Sequence, residues 1–464
     1  MPKKKTALTI EERLQQALVP AEKQPYEVPE NWVWVRLGEV VDVLNGDRGK
    51  NYPAKSTLSK EGIPFISAAN LCDNIVVEDD LLCMSEEQYS KLSAGKLMLN
   101  DIVLCIRGSL GKHGKFPFKK GAIASSLVIL RSKDRGRLTD GYVMQYLDVP
   151  LFYDEIKKYD NGTAQPNLAA KNLELFSFPL PPLSEQQRIV ERIEELFAKL
   201  DEAKERLQEV SDNFAVRKAA ILHEAFTGEL TKQWRLENGV SDESWEEKTL
   251  QDVCSMKITD GTHKTPVYCD SEKGVKFLSA KDITAEKICW DNIKYIVPEL
   301  HEELYKRLAP QVDDVLLAKN GTTGVAAIVE TDDIFDIYVT LAVLRPEKSI
   351  IYPLYLLKVV NSPLCKEQFA QHLTGIGVPN LHLRDIKEVL IPLPTLPEQD
   401  EIVRLIDDLL ARERKAQQAT EQALASIDLM KKSILARAFR GELGTNKASE
   451  ASALELLRQV LAEN

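Results

Sequence analysis

Apolar residues recur at alternating steps of four and three between Ile189 and Phe214. That spacing aligns one face of a long helix and is typical of coiled-coil packing. Pro181 and Pro182 precede the pattern, and Gly228 lies where a C-terminal glycine is expected. The apolar positions are Ile189, Ile193, Leu196, Leu200, Ala203, Leu207, Val210 and Phe214. Some forty helical residues predict a helix on the order of 60 Å long.

The chain contains this stretch twice. PLPPLSEQQRIVERI, which begins at Pro179, recurs as PLPTLPEQDEIVRLI at Pro392, and the offset is 392 − 179 = 213 residues. AFTGEL at Ala225 recurs as AFRGEL at Ala438 with the same offset. Over the whole block, 52 positions align without a gap and 20 of them are identical. Shared composition alone does not produce that agreement, so the chain carries an internal duplication.

Each predicted helix needs a partner for its apolar face. The second copy keeps apolar residues at most matching positions but places Glu413 and Thr420 where the first has Leu200 and Leu207. Two equivalent halves closed by a two-fold axis would set these helices antiparallel. Ser184 with Gln187 predicts a capping box at the first helix start. The sequence therefore predicts two long antiparallel coiled-coil helices.

The segments that precede the helices resemble each other more weakly. Trp32 and Asp101 of the first segment match Trp245 and Asp314 of the second at the same offset. Each segment mixes short β-like runs with helical patches and ends near a PNL turn, which we expect to close the domain. Gln165, beside the first of these turns, is expected to be structural as well. Segments of about 150 residues are a normal domain size.

The predicted fold class is α+β, with two similar mixed α/β domains separated by two long antiparallel coiled-coil helices and a pseudo-two-fold internal repeat. A terminal helix is expected on either side of this arrangement. The predicted boundaries are an N-terminal helical extension at 1–24, domains at 25–180 and 238–393, helical segments at 181–237 and 394–447, and a tail at 448–464.

Composition narrows the class of protein. The 464-residue chain has no apolar run near eighteen residues, so no membrane span is expected. Seven scattered cysteines without a CxxC pair are typical of reduced thiols in the cytoplasm. The formal net charge of −11 argues mildly against nucleic-acid binding by the chain as a whole. Local charge therefore matters more than the total.

One segment of the first domain is strongly basic. Ile102 to Lys133 contains seven Lys or Arg residues and no Asp or Glu. Its glycines allow backbone N–H groups to approach phosphates. An arginine there can contact a guanine edge, whereas lysines neutralise phosphates. The alternative is a basic surface hairpin without a ligand. The candidate DNA-binding residues are Arg107, Ser109, Lys112, His113 and Lys115.

Three further loops offer candidates. KNGTTG in the second domain matches the basic loop of the first, although Asp332, Asp333 and Asp336 lie close behind it. NGDRGKN and TDGTHKT each follow the first strand of their domain. Any of them could instead be a solvated turn. The candidate DNA-binding residues are Arg48, Lys50, His263, Lys264, Lys319, Asn320, Thr322 and Thr323.

Catalytic motifs are missing from the sequence. There is no GxxxxGK phosphate loop, no GxGxxG, no HExxH and no GxSxG. No Asn-Pro-Pro-aromatic tetrapeptide of amino-methyltransferases occurs either. We therefore expect a chain without catalytic, cofactor or metal residues of its own.

The doubled PLPPLxEQxxIVxxI…AFxGEL block, each copy following a variable domain, resembles the specificity subunit of type I restriction–modification enzymes. The resemblance spans residues 25 to 445. It implies that each variable domain is a target-recognition domain for one half of a split double-stranded DNA sequence, with the helices as the ruler between halves.

The resemblance also implies partners. Two methyltransferase subunits would dock on this chain and use S-adenosylmethionine, and two restriction/translocase subunits would add ATP and Mg chemistry. The whole would serve phage defence in the cytoplasm. One alternative stays open, a coiled-coil scaffold protein without DNA recognition. The specificity part of a single-chain restriction–methylation enzyme is a second alternative, but such a chain would carry its own methyltransferase motifs, which this sequence lacks.

Overall fold

The computed structural model describes residues 9–133, 140–160, 166–284, 287–373 and 380–463. The chain divides into two compact units. The first consists of Met1–Leu207 with Ala423–Asn464, and the second of Gln208–Gln422. Each unit therefore contains one domain together with part of both long helices.

The described residues of the first unit form three β-sheets. A four-stranded and a six-stranded sheet form the body of the domain, and a two-stranded sheet pairs its beginning with its end. Its strands are Val33–Arg36, Val41–Asn45, Ile63–Ile66, Leu71–Cys72, Asn74–Val76, Leu82–Met84, Lys96–Met98, Ile102–Cys105, His113–Lys115, Lys120–Ile123, Leu127–Ser132 and Ser177–Leu180.

Short helices surround these sheets. The predicted N-terminal helix begins after Thr9, whose side chain forms a capping box with Glu12. The other end of the chain packs its last helix on this one. The α-helices besides the long ones are Ile10–Ala17, Leu37–Val40, Glu86–Lys91, Asp140–Tyr146, Pro150–Tyr159, Ala170–Leu173 and Ala453–Glu463, and the 3₁₀ helices are Ala21–Lys23, Lys55–Thr57 and Ala68–Asn70.

The second unit repeats this plan with shorter strands. Its strands are Glu246–Thr249, Thr259–Asp260, Val275–Leu278, Ile283–Thr284, Lys287–Ile288, Lys294–Ile296, Val315–Ala318, Ala326–Ile328, Phe335–Ile337, Leu341–Leu344 and Leu390–Leu393. Its helices are Phe214–Phe226, Lys232–Asn238, Pro298–Arg307, Pro353–Val360, Pro363–Gln371 and Leu383–Glu388, with 3₁₀ turns at Asp242–Ser244 and Ala280–Asp282.

Strand register follows the internal repeat. In the closing sheet of the first unit Val33 pairs with Leu180, and in the second Glu246 pairs with Leu393. Both members of the second pair lie 213 residues after those of the first. The paired strands bring the two ends of each domain together at the start of a long helix. The predicted fold class is confirmed.

The two copies of the long helix differ in continuity. The second runs unbroken over 43 residues, Leu396–Ala438. The first ends at Asp212 and resumes at Phe214, because Asn213 adopts a distorted helical conformation with ψ −7°. The predicted capping box at Ser184 is wrong, since the helix already begins at Leu183. The extended prolines before it allow the helix to begin one residue earlier than the serine.

Side chains of the two long helices meet in antiparallel order within the first unit. Lys431 contacts Asp201, and Lys204 lies 3.7 Å from Asp428. Residue numbers therefore rise along one helix where they fall along the other. In the second unit the Arg217 Nε donates to Glu413 Oε2 at 2.9 Å. Glu413, which interrupts the predicted apolar face, therefore has an ionic partner.

Burial along the predicted apolar face is uneven. Ile189 and Ile193 are buried, whereas Ala203 and Val210 are exposed, with Val210 at 42%. The expectation of one continuous buried face is thus wrong in its middle. Helices that pack in pairs leave positions beside the contact line open to solvent.

The phenylalanine of each AFxGEL motif anchors a domain core. In the first unit Phe439 stacks on Tyr142 with ring centroids 4.7 Å apart. In the second Phe226 meets Tyr355 edge-on at 5.6 Å. Each tyrosine hydroxyl donates to a backbone carbonyl of the proline run that starts a long helix, at 2.9 and 2.8 Å. The end of one repeat block therefore packs against the domain that precedes the other.

Candidate nucleic-acid interface

The basic loop of the first domain is a tight connection between two antiparallel strands, Ile102–Cys105 and His113–Lys115. Gly108 and Gly111 have φ values of 80° and 83°, a region that favours glycine. The Gly111 N–H donates to the Cys105 carbonyl at 3.1 Å and closes the turn. Both glycines are therefore required by backbone conformation rather than by a ligand alone.

The PNL turn braces this loop from the side. The Leu168 N–H donates to the Ile106 carbonyl at 2.9 Å, and the Gly108 N–H donates to the Pro166 carbonyl at 3.0 Å. A β-bridge joins Arg107 to Asn167 between these bonds. Gln165, the neighbouring candidate for a structural role, lies outside the described residues.

Three predicted residues of this segment are exposed: Arg107 and Ser109 on the loop, and Lys115 on the strand that follows it, where it pairs with Ile102. The Arg107 Nε donates to the Asn167 side-chain oxygen at 3.1 Å, which holds the guanidinium in place. Lys112 is exposed too, and its Nζ donates to the Ala68 carbonyl at 3.1 Å. Arg107, Ser109 and Lys112 therefore form the accessible group of the loop, and Lys115 lies exposed on the strand beside it.

His113 lies inside the domain instead. It is 3% exposed, with Nδ1 2.9 Å from the Gly111 carbonyl and Nε2 3.8 Å from Asp148 Oδ1. Burial raises the pKa of Asp148, and the His113 charge and an Asn74 hydrogen bond oppose that rise. His113 therefore supports the loop from beneath, because a buried ring cannot meet DNA directly.

The NGDRGKN loop follows the second strand of its domain, Val41–Asn45, and not the first as predicted, because the short helix Leu37–Val40 divides the opening segment into two strands. This loop comes close to the basic loop. An Arg48 Nη donates to the Ser125 carbonyl at 3.4 Å, while the Ile106 N–H donates to the next carbonyl, that of Ser126, at 2.9 Å. Lys50 lies exposed in the same loop. The structure thus brings these two predicted loops of the first domain together.

A buried carboxylate shapes the Arg48 loop. Asp47 Oδ1 accepts from the Gly49 N–H at 2.7 Å, and Oδ2 accepts from the Ser93 N–H and hydroxyl at 2.9 Å. These hydrogen bonds, the Gly49 one foremost, hold the pKa of Asp47 below its ordinary value. A carboxylate that accepts these three hydrogen bonds holds the loop in this conformation.

The second domain builds its loop on the same backbone. Gly321 and Gly324 have φ values of 76° and 82°. The Gly324 N–H donates to the Ala318 carbonyl at 2.9 Å, and the PNL leucine N–H, that of Leu381, donates to the Lys319 carbonyl at 2.8 Å. We call this shared backbone the loop scaffold: the tight turn with its two positive-φ glycines, together with the hydrogen bond from the PNL leucine. Both domains contain it, whereas the side chains that it carries differ.

Two predicted residues of this domain converge on Asp260. The buried Lys319 places its Nζ 3.0 Å from Asp260 Oδ2, and His263 Nε2 lies 3.2 Å from Oδ1. The Lys319 side chain is only 8% exposed, whereas that of His263 is 72% exposed. Asp260 belongs to the strand Thr259–Asp260, the second of its domain, so TDGTHKT does not follow the first strand as predicted. Lys319 therefore ties its loop to this strand and does not present its charge to a ligand.

The remaining predicted residues differ in accessibility. Thr322 is exposed and Asn320 and Thr323 are half-buried. The Thr322 hydroxyl donates to the Ala280 carbonyl at 3.4 Å. Lys264 is exposed and forms an ion pair with Glu303 at 2.9 Å.

A turn that sequence reasoning did not select borders both loops. Ser67 and Ser279 each cap a 3₁₀ turn, and the following alanine carbonyls accept from Lys112 and Thr322. Lys281 is exposed on the second of these turns. The repeat of the Ser-Ala pair can be recognised in the sequence, whereas its position beside the loops is shown only by the structure.

The predicted basic segment carries less surface charge than its composition suggests. Arg131 forms a bidentate ion pair with Asp101, with Nε 2.8 Å from Oδ1. Asp333 and Asp336 in the second domain likewise pair with Lys276 and His301, both at 2.7 Å. The acidic cluster behind the second loop is therefore partly neutralised.

The Glu-Gln pair at each helix start is structural. Glu185 is fully buried and accepts from Trp32 Nε1 and Asn446 Nδ2, both at 2.8 Å. Glu398, also buried, accepts from Thr231 and Arg235, both at 2.7 Å. One donor in each unit comes from the other repeat block. Asn446 follows the AFRGEL motif of the second block and donates to Glu185, and Thr231 follows the AFTGEL motif of the first block and donates to Glu398.

The described ranges contain neither a cluster of metal-ligating side chains nor a membrane-spanning helix. No group of three or more His, Cys, Asp or Glu residues there could hold a metal ion. None of the helices in that part of the chain is long and apolar enough to cross a membrane.

The duplicated loop scaffold agrees with a known family. Residues 29–212 and 242–423 each match the family model of the type I restriction modification DNA specificity domain. The chain belongs to this family. Two DNA specificity domains make it a DNA sequence-recognition protein, and relatives are named specificity subunits, which are non-catalytic.

Curated relatives of this family align over almost their whole length. The type I restriction enzyme EcoBI specificity subunit of Escherichia coli is 29% identical over 457 residues, which cover 94% of this chain and 93% of that protein. The MjaVIII specificity subunit of Methanocaldococcus jannaschii is 26% identical over 421 residues, covering 86% and 92%.

Solved structures support the fold. The HsdS subunit from Thermoanaerobacter tengcongensis superimposes with a TM-score of 0.63 at 19% identity, covering 91% of this chain and 100% of that one. A chain from a structure concerned with complex assembly and conformational transition of the type I R-M system has a TM-score of 0.64 at 20% identity, covering 90% and 100%. At this identity the likeness concerns the fold alone.

Proposed function

We propose that this chain is the DNA-recognition subunit of a type I restriction–modification complex, in which domains 25–180 and 238–393 each recognise one half of a bipartite target. The observation that supports this most strongly is the loop scaffold itself. The two domains repeat its hydrogen bonds and its positive-φ glycines but carry different side chains on it. Two copies of one scaffold with different surfaces suit two different sequences on one duplex.

Within the first domain the accessible group makes the contacts. Arg107 approaches base edges, while Lys112 and Lys115 neutralise phosphates. Ser109 on the same loop, and the exposed Arg48 and Lys50 on the neighbouring loop, add further contacts. His113 contributes by supporting the loop.

In the second domain the contacts are less basic. Asn320, Thr322 and Thr323 face the duplex, with His263 and Lys264 on the neighbouring loop. Lys281, which sequence reasoning did not select, adds a positive charge there. Lys319 positions the two loops through Asp260.

The helical segments 181–237 and 394–447 set the distance between half-sites and dock partner subunits. Exposed apolar residues support docking, because isolated surface helices rarely keep them together. Leu429 and Met430 are 66% and 51% exposed in the first unit, and Val216 is 65% exposed in the second. The extension at 1–24 and the tail at 448–464 lie outside the repeated plan.

The partners carry the chemistry. Two methyltransferase subunits would bind S-adenosylmethionine, and two restriction/translocase subunits would bind ATP and Mg, in the cytoplasm. The target adenine would be flipped into the methyltransferase pocket, which costs a few kcal/mol of stacking. A net charge of −11 on this chain suits partners that supply much of the basic surface around the duplex.

The test is to co-express this chain with its methyltransferase subunit and to sequence methylated adenines in the host DNA. We expect methylation within one bipartite sequence with a constant gap. Methylation at a single uninterrupted sequence, or none above a strain that lacks this chain, would overturn the proposal.

The scaffold alternative predicts a different result. A coiled-coil scaffold would show no salt-dependent DNA binding even with the methyltransferase present. The two matched DNA specificity domains disfavour it.

A further inference from the structure

One three-residue corner of the loop scaffold, 106–108 in the first domain and 319–321 in the second, presents a single side chain in each domain. In the first domain Ile106 is 1% exposed and Gly108 follows Arg107. In the second, Lys319 is 7% exposed and Gly321 follows Asn320. With a buried residue before it and a glycine after it, the middle residue is the side chain that this corner offers to a ligand.

The two corners have the same backbone. Each middle residue forms a β-bridge with the asparagine of its PNL turn, Arg107 with Asn167 and Asn320 with Asn380. The preceding residue accepts a hydrogen bond from the PNL leucine at 2.9 Å in the first domain and 2.8 Å in the second. The following glycines have φ values of 80° and 76°. Arg107 and Asn320 are therefore structurally equivalent positions.

The Arg107 guanidinium is already oriented. Its Nε donates to the Asn167 side-chain oxygen at 3.1 Å, which leaves the two Nη groups at the exposed end. Two parallel N–H donors match the O6 and N7 acceptors of guanine. Fixing the guanidinium before binding lowers the entropy lost when the contact forms.

An asparagine at the same corner has a different complement. Its amide offers one acceptor oxygen and two N–H donors, and it pairs bidentately with N7 and the N6 amino group of adenine. Asn320 is half-buried, and no other side chain follows until the exposed Thr322. Its shorter reach places the contact closer to the scaffold than that of Arg107.

We infer that Arg107 and Asn320 are the matched base-selecting residues of the two domains, with Arg107 selecting guanine in one half-site and Asn320 selecting adenine in the other. This inference rests on the proposed function and assigns a base to one position of each half. The neighbouring lysines contact phosphates and carry no base preference.

A reciprocal exchange tests it. Arg107→Asn and Asn320→Arg are each expressed with the methyltransferase subunit, and methylated adenines in the host genome are sequenced. We expect Arg107→Asn to change one guanine to adenine in the first half-site only. Asn320→Arg should change one adenine to guanine in the second half-site only.

Lys115→Gln, on the strand that follows the loop, is the control. It should weaken methylation evenly without changing any base. If the exchanged variants likewise lose methylation evenly and keep both half-sites, Arg107 and Asn320 are phosphate contacts and the inference is wrong.

Alanine variants provide a second test if the exchanged side chain cannot be accommodated at its new position and the variant is inactive. Arg107→Ala and Asn320→Ala should each relax one position of one half-site, with discrimination there falling about 10-fold or more. Unaltered base preference in these variants overturns the inference even if the exchanged proteins are inactive. A wild-type complex that methylates no bipartite sequence would instead contradict the proposed function itself.

Discussion

At the scale of single residues, one ion pair explains why an aspartate is repeated. Asp101 and Asp314, which matched across the two segments in sequence, are both buried. Asp101 pairs bidentately with Arg131, and Asp314 pairs with Arg345 at 2.7 Å through both oxygens. The repeated aspartate therefore belongs to the domain core rather than to a DNA contact.

Removing this carboxylate should destabilise its own unit. We expect Asp101→Asn to lower the free energy of unfolding of the first unit by about 3 kcal/mol, because Arg131 loses its buried counter-charge. Asp314→Asn should act in the same way on the second unit. Urea unfolding followed by circular dichroism measures both.

Glu87→Gln serves as the control for that experiment, since its ion pair with Lys91 is exposed. It should leave the urea midpoint unchanged. Equal losses in Asp101→Asn and Glu87→Gln would show that burial of the pair has no importance.

The Asp47 carboxylate should make stability depend on pH. Hydrogen bonds from Gly49 and Ser93 lower its folded-state pKa, so its contribution is present above the unfolded value near 3.9 and is lost as pH falls through the folded value. We expect Asp47→Asn to be less stable than the wild type at pH 6, with a difference that shrinks below about pH 4. Unfolding free energies measured across this range check it, and a constant difference contradicts it.

At the scale of elements, the long helices do more than supply an apolar face. The Glu-Gln pair at each start is buried, with Gln186 donating to the Pro181 carbonyl at 3.1 Å and Gln399 to the Pro394 carbonyl at 2.8 Å. These glutamines fix the turn from the extended proline run into the helix. The periodicity predicted the helices, whereas this anchoring explains why the polar pair is repeated.

Lengthening both helices should lengthen the gap between half-sites. Insertion of seven residues after Lys204 and seven after Asp428 keeps the apolar period and adds about 10 Å, or about three base pairs. We expect both half-sites to be retained and the gap to grow, as measured by sequencing of methylated adenines. The same seven residues added after Asn464 provide the control, and an unchanged gap in the double insertion would exclude the ruler.

At the scale of the whole molecule, the chain consists of two units with one plan and unequal details. The first has a six-stranded sheet where the second has a four-stranded one. The helices Ile10–Ala17 and Ala453–Glu463 pack on each other in the first unit. These differences lie in the number of strands per sheet and in the terminal helices. The strands that flank the loops keep the same register in both units.

Exchange of a whole domain should change one half of the target only. Replacement of 25–180 by the matching segment of another family member should alter the first half-site and leave the second and the gap intact. The converse exchange of 238–393 should alter the second half-site alone. Methylated-adenine sequencing measures both, and new bases in both halves after a single exchange would contradict independent recognition.

The amino-acid sequence by itself determined the duplication, the two long helices, the α+β class and the family resemblance. These depend on periodicity and on repeated blocks, which are local properties of the chain. It also located the loops, because glycines and basic residues cluster within a few positions of each other there.

Only the tertiary structure decided which loop residues are accessible. Lys319 is neutralised by Asp260 and His113 is buried above Asp148, and neither partner adjoins its residue along the chain. Long-range pairing of this kind leaves no period or motif in the sequence. Burial and ion pairing therefore distinguish the residues that hold a loop in position from the exposed residues that are available to a ligand.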